Sequence, residues 1–399
     1  MDRIRLAGQE ISFQMKFAYQ LLVTCVLLQA TLLAAPAPVL QRDFFHTRGG
    51  QIVDSRGHIV RLAGVSWWGM ETDRFSPLGL DKRPMDSILA QVRGMGFNVV
   101  RLPYANQMLR PESKAVGIDY GLNPVLKGLT PLEIMDRVIA NAHAHGLRVI
   151  LDRHRPDAKQ QSALWYTPED SEQEWIADWK MLAARYRDDD TVIGFDLHNE
   201  PRDPATWGSG DPATDWRLAA ERAGNAVLAV NPQLLILVEG VSKVGGDDYW
   251  WGGNLSAAAK FPVRLSQPQQ LIYSAHDYPA SVSRQAWFKA ADFPANLPAV
   301  WRAHWGFLAE QNQVPVVLGE FGTRYETDAD RAWMAKLVAY LVEHRIGAIY
   351  WCLNPESKDT GGLLADDWKS EEQGKLAALA PVLSAAAENS PAPRTSPPK

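Results

Sequence analysis

The chain has 399 residues, 46% of them hydrophobic and 22% charged, which gives enough apolar mass for one large packed domain and excludes a disordered protein. A formal net charge of -5, with no cluster of Lys and Arg, excludes a polyanion-binding surface, so nucleic acid is not an expected partner. Tryptophan, at 15, outnumbers phenylalanine at 12 and tyrosine at 11. An indole offers the flat apolar face that packs on a sugar ring while leaving its hydroxyls free, although a large aromatic core uses the same residues.

In chain order, the first feature is an apolar run from Leu21 to Ala35, with small residues at Ala34, Ala35 and Ala37. It is shorter than the roughly 20 residues of a membrane span and reads as a signal peptide. Met15-Lys16 is placed as the true start of translation. With cleavage near Ala35 or Ala37, residues 1–37 form the leader, 38–387 one barrel domain, and 388–399 a disordered tail rich in Pro and Ser. The expected product is secreted, monomeric and free of the membrane once the leader is cut. Thr24 before Cys25 argues against lipidation, and loss of Cys25 with the leader leaves Cys352 without an intramolecular partner.

Residues Gly50 to Arg61 hold Asp54-Ser55-Arg56-Gly57 between two β-rich pieces, a hairpin expected to cover the bottom of the domain. Eight apolar β-rich runs follow, alternating with amphipathic stretches: Val60 to Ser66, Phe97 to Leu102, Arg148 to Leu151, Val192 to Leu197, Leu234 to Val238, Leu271 to Ser274, Val314 to Leu318 and Ile346 to Tyr350. Eight βα units in a chain of this length predict a single closed (β/α)8 barrel. His143 and His145 precede Gly146 at a helix end, where cations are favoured by the helix dipole, and no carboxylate is placed to complete a metal site with them.

Barrel enzymes carry their chemistry where strands end. Here the runs end on Arg101, on Asp152-Arg153-His154-Arg155, on His198-Asn199-Glu200-Pro201, on His276-Asp277-Tyr278, on Glu320 and on Trp351. Any one of these has an ordinary explanation as a solvated or paired polar residue. In a closed barrel, however, six such ends surround one cavity. Two carboxylates, Glu200 and Glu320, stand on nearly opposite strands, and paired carboxylates are what glycosidic cleavage requires. A separation of about 5 Å selects retention of configuration, whereas a wider gap admits an inverting water.

The blocks NVVRLPY (98–104), VILDRHRPD (149–157), VIGFDLHNEP (192–201), DYWWGGNL (248–255), YSAHDY (273–278), VLGEFG (317–322) and NPESKDTGG (354–362) resemble, in this order, glycoside hydrolase family 5, in particular its bacterial cellulases. The resemblance implies a (β/α)8 fold, retaining chemistry, no cofactor, and a site lined by Arg101, His154, Asn199, Glu200, His276, Tyr278, Glu320 and Trp351. Where relatives often carry a second Trp in a WxW pattern before Asn-Pro, this chain has Leu353, a change expected to weaken one subsite or shift glycan preference.

Physical roles follow for each residue. Arg101, a fixed cation, holds Glu320 ionised as nucleophile. The charge of Glu320 keeps the proton on Glu200, the general acid, until Glu320 is esterified; Glu200 then becomes the base for the incoming water. Asn199 is placed to hydrogen-bond the sugar 2-hydroxyl, His276 and Tyr278 to orient Glu320, and Trp351 to form a stacking floor. Trp67, Trp68, Trp250 and Trp251 are expected to extend the groove. The expected partner is β-1,4-glucan, cut internally, with mannan, xyloglucan or mixed-linkage glucan as alternatives. Two other classes are weighed: a glycan-binding barrel without catalysis, opposed by the intact carboxylates and their support, and a metal-dependent hydrolase using His154, His198 and His276, which lacks a ligand-spacing motif.

Overall fold

The computed structural model describes residues 42–388. The leader run, the start at Met15, Cys25 and the tail beyond Glu388 lie outside those residues. Eight parallel strands, numbered one to eight in chain order, run over Ala63–Ser66, Val99–Ala105, Arg148–Arg155, Val192–Asp196, Leu235–Glu239, Leu271–Asp277, Val316–Phe321 and Gly347–Tyr350. Each pairs with the next and the last pairs with the first, closing the predicted barrel. Strands two, three, six and seven run further than their apolar segments. The ladder needs only backbone groups, so it continues after the side chains turn polar. Much of the polar rim therefore sits on rigid strand and not on loop.

The outer layer is built from helices whose ends are written in the sequence. Thr130 and Ser171 open the helices Pro131–Ala144 and Glu172–Arg185 with capping boxes to Glu133 and Glu174. Met85–Gly94 follows strand one, Trp216–Val230 strand four, Asp328–Glu343 strand seven and Gln373–Ala387 strand eight. Between strands five and six, no α-helix is formed among the described residues. The segment 240–270 instead makes a two-stranded ribbon, Lys243–Val244 with Asp247–Asp248, and carries Trp250 and Trp251 back towards the strand end. There the Gly240 N–H donates to the Gly252 carbonyl at 2.8 Å.

Alternate residues of each strand face inward and stack as layers. The lower layers are apolar: Leu62, Val99, Ile150, Ile193, Leu235, Leu237, Ile272, Val317 and Ile349 form one cluster with Phe45, Ile52 and Val60. The last three belong to the N-terminal segment, whose strands His46–Arg48, Gln51–Val53 and Ile59–Val60 form a three-stranded antiparallel sheet. The predicted hairpin is the pair Gln51–Val53 and Ile59–Val60, and it gains a third strand, His46–Arg48, on the other side of Gln51–Val53. Its turn is held by Asp54, whose Oδ1 accepts from the N–H groups of Arg56 at 2.9 Å and His58 at 2.8 Å. The sheet plugs the bottom of the barrel, as expected. Phe45 is 4% exposed within this plug, so Phe45→Ala is expected to cost about 3–5 kcal/mol of stability. Because the plug lies at the opposite end from the polar rim, kcat should be unchanged. Urea unfolding with unaltered stability would show that the plug is not part of the core.

Candidate active site

Above the apolar layers the barrel interior becomes charged, and its centre is a guanidinium. Arg101, on strand two and fully buried, donates through Nη1 to Glu320 Oε1 on strand seven. Its Nη2 lies 2.9 Å from Asp196 Oδ2, 3.2 Å from Asp152 Oδ2 and 3.4 Å from Glu239 Oε1, and donates to Asn199 Oδ1 at 3.1 Å. One planar fork therefore ties together the ends of strands two, three, four, five and seven.

Glu320 is 3% exposed and accepts from the Tyr278 hydroxyl at 2.8 Å through Oε2. Burial alone would raise its pKa, but the positive His276 and Arg101 and the Tyr278 hydrogen bond outweigh it and hold the carboxyl down at about 2. Its neighbour across strand six is fixed by irregular pairing: register shifts after Ala275 and after Leu318 bring His276 opposite Glu320. Gly319 permits this close approach, since a Cβ there would fall 2.1 Å from Ser274 Oγ.

His276 Nδ1 lies 3.2 Å from Glu200 Oε1 and 3.5 Å from Glu320 Oε2, while its Nε2 lies 3.2 Å from Glu239 Oε1. Burial disfavours a charged imidazole, yet Glu239 and Glu320, with hydrogen bonds to Glu200 and Glu239, raise His276 well above the ordinary histidine range. Glu200 and Glu320 each place a carboxylate oxygen within 4.8 Å of the other and of a His276 ring nitrogen. Glu200 follows strand four in a left-handed backbone conformation, φ 55°, and is the more open of the pair, its side chain 14% exposed against 3% for Glu320.

The remaining predicted residues are placed as follows. Asn199 is fully buried; its Oδ1 is used by Arg101, and its Nδ2 has no hydrogen-bond partner. His154 donates from Nδ1 to Asp152 Oδ2 at 2.7 Å, and its Nε2 accepts from the Gln161 amide at 3.3 Å. Burial pulls it down to about 4, so it is neutral, and its ring stacks on Trp351 at 5.2 Å between centroids. Trp351 and Trp68 are half-buried, and Trp251, half-exposed, lies under the Arg202 guanidinium at 4.3 Å. Trp250 is mostly buried, edge-on to Tyr278.

Two expectations are corrected. Trp67 has no exposed surface and donates its indole N–H to the Leu78 carbonyl, so it is a core residue and not part of a groove. Leu353 is also fully buried, with its N–H on the Ser66 carbonyl, so this position presents no subsite to lose. Cys352 is a buried free thiol, pushed up to about 12 by burial.

The histidines considered for a metal do not converge. His198 Nδ1 takes Arg153 Nη1 at 2.8 Å and its ring stands edge-on to Trp216, and among the described residues it shares no ligand group with His154 or His276. His143 bonds Thr191 and His145 bonds Asp86, each 2.9 Å away. Asp152, Asp196 and Glu239 could converge on a cation, but Arg101 Nη2 already stands among them.

The geometry is matched by known proteins. Residues 53–357 fit the family model described as cellulase (glycosyl hydrolase family 5). The chain belongs to glycosyl hydrolase family 5. An endoglucanase of Paenibacillus polymyxa is 48% identical to this glycoside hydrolase over 347 residues, covering 86% of this chain and 87% of the relative. The major extracellular endoglucanase of Xanthomonas campestris pv. campestris is 42% identical, covering 91% and 75%. The catalytic domain of the major endoglucanase from the same pathovar superposes with a TM-score of 0.82 at 41% identity, over 86% of this chain and 100% of that one. A cellotetraose complex of an endocellulase from Pyrococcus horikoshii gives 0.81 at 38% identity, over 86% and 99%.

The buried carboxyls set how the hydrolase responds to pH. Burial pushes Asp152 and Asp277 up to about 7 and Asp196 up to about 6, from an ordinary value of 3.8. Asp277 is held by the hydroxyl of Tyr249 and the indoles of Trp301 and Trp333. A carboxyl whose folded value is raised binds its proton more tightly in the native state. Its contribution is complete below the unfolded value and is lost as pH rises through the folded one. Glu320, lowered, contributes above its ordinary 4.5 and loses that contribution as pH falls towards about 2. The melting temperature is therefore expected to be highest near or below about pH 4 and to fall by several degrees between there and about pH 8. A calorimetric series that stays flat or rises over this interval would contradict the assignment of these carboxyls as protonated.

Proposed function

We propose that this glycoside hydrolase is an endo-β-1,4-glucanase that acts with net retention, with Glu320 as nucleophile and Glu200 as acid/base. The observation that supports this most directly is the approach of the two carboxylates to within 4.8 Å. A retaining pair stands about 5–5.5 Å apart, whereas inverting pairs need about 6.5–9.5 Å for a water. In the first step Glu320 attacks the anomeric carbon, the bond to the leaving oxygen breaks, and Glu200 gives that oxygen its proton. In the second, Glu200 takes a proton from water, the hydroxyl adds to the anomeric carbon, and the Glu320 carboxylate leaves.

The supporting residues fit these roles. Arg101 and Tyr278 keep Glu320 charged and aimed. Asn199 Nδ2, buried without a partner, is available to a sugar 2-hydroxyl, and Trp351, half-buried on His154, offers a stacking face. The names of the relatives support a β-1,4-glucan as substrate. We further propose that residues 1–37 are a cleaved export leader, that 38–387 form the catalytic domain and that 388–399 are a tail. The apolar run from Leu21 and the extracellular description of the Xanthomonas relative support export.

The test is the anomeric form released at the moment of cleavage. Proton NMR of a cello-oligosaccharide digest should show β-anomer before mutarotation. Initial α-anomer would mean inversion and a different base. A clear preference for mannan over carboxymethylcellulose would overturn the substrate and leave the mechanism standing.

A further inference from the structure

The mechanism above leaves the fully buried carboxyls Asp152, Asp196 and Glu239 at the rim without a task, and of these Glu239 bonds the backbone of Glu200. Glu239 closes strand five, has no exposed surface, and is surrounded by donors. Its Oε2 accepts the backbone N–H of Glu200 at 2.8 Å, and its Oε1 lies 3.2 Å from His276 Nε2 and 3.4 Å from Arg101 Nη2. Its own carbonyl accepts from the Trp216 indole at 2.8 Å, so side chain and backbone are both fixed.

Two further observations connect this carboxylate to Glu200. First, Glu200 holds φ at 55°, a conformation that is costly for a residue with a Cβ and persists only where its surroundings impose it. The contact from Glu239 satisfies the backbone N–H of Glu200 itself. Second, the loop after strand five is pressed onto the pair. A Cβ on Gly252 would stand 2.2 Å from Glu239 Oε2 and 3.3 Å from the Glu200 Cα, and Gly252 itself has φ 69°. Only glycine lets the loop seal this contact from water.

We infer that Glu239 is a positioning residue for Glu200, its carboxylate anchoring the Glu200 peptide N–H with one oxygen and facing His276, the side-chain partner of Glu200, with the other. Backbone and side chain of the acid/base are thus held from a single point. Glu320 has holders of its own in Arg101 and Tyr278. Loss of Glu239 therefore falls mainly on the steps that use Glu200. This rests on the reading of Glu200 as acid/base, and the experiment separates the two.

The measurement is kcat/KM, which reports cleavage of the first bond, on two aryl β-cellobiosides. A phenyl leaving group needs a proton from the acid, and a 2,4-dinitrophenyl group does not. Glu200→Ala is expected to lose about 10³-fold on the phenyl substrate and little on the dinitrophenyl one; equal losses there would overturn the acid/base reading itself. With that control in place, Glu239→Leu is expected to lose about 100-fold on phenyl and less than about fivefold on dinitrophenyl cellobioside. Glu239→Gln, which keeps an acceptor oxygen for the Glu200 N–H, should recover most of the phenyl rate. Equal losses on both substrates in Glu239→Leu, or no recovery in Glu239→Gln, would overturn the inference. Should Glu239→Leu fail to fold, Gly252→Ala, which forces Glu239 aside without removing it, is read by the same ratio.

Discussion

Glu320→Gln is expected to leave a folded barrel whose rate on carboxymethylcellulose is lower by roughly 10⁴- to 10⁶-fold, since the amide cannot form the glycosyl ester. The substitution is nearly isosteric, Arg101 can still donate to the remaining oxygen and the amide can donate to the Tyr278 hydroxyl oxygen, so the loss should appear in kcat and not in stability. Glu200→Gln is expected to cost less, about 10²- to 10⁴-fold, because it removes proton transfer but leaves the attacking carboxylate in place. A folded Glu320→Gln protein that keeps more than about a tenth of the wild-type rate would sink the assignment of the nucleophile. Circular dichroism and melting must accompany the assay, because only a folded variant speaks to chemistry.

Removal of Arg101 should be the most damaging single change to the fold and the site together. Arg101→Met leaves Glu320, Asp152, Asp196 and Glu239 without the cation they share inside the barrel. Breaking a buried pair of this kind costs about 3–5 kcal/mol, because the surviving charges stay desolvated. The pH profile shows the direction of the electrostatic part. Glu320 is held at about 2 by His276 and Arg101 against the effect of burial, so losing the guanidinium must raise it. The acid limb of kcat/KM should then move to higher pH, with activity lost where the wild type is still fully active. Arg101→Lys keeps one positive charge but not the fork, since a single ammonium cannot reach all four carboxylates with good geometry. It is expected to fall between Arg101→Met and wild type in stability. An unshifted acid limb in both variants would show that Arg101 does not set the ionisation of Glu320.

The barrel was legible in the sequence because its strands are local objects. An apolar β-rich run bounded by Gly and polar residues marks a strand wherever it occurs, and eight of them leave little choice of closure. The pair Glu200 and Glu320 was legible for a related reason, as each follows such a run and barrel topology sends all strand ends to one rim. Glu239 carries the same signal at the end of strand five, in period two with the inward-facing Leu235 and Leu237. Asp196 was visible at the end of strand four in the same way.

Other features depended on contacts between segments far apart in the chain. Trp67 and Trp251 look alike in sequence, each adjacent to another Trp near a strand end, but one is buried on the Leu78 carbonyl and the other is half-exposed beside Arg202. No local pattern separates them, since exposure is a property of what packs on top. The same holds for the ionisation of the rim. Composition showed many carboxyls, but which of them keep a proton and which keep a charge is decided by distances of about 3 Å to Arg101 and His276, because charge interactions in a desolvated interior vary steeply with separation. The sequence by itself determined the strands, their order and the chemistry available at their ends. The tertiary structure alone decided which carboxylate is ionised, which is masked, and how closely Glu200 and Glu320 approach.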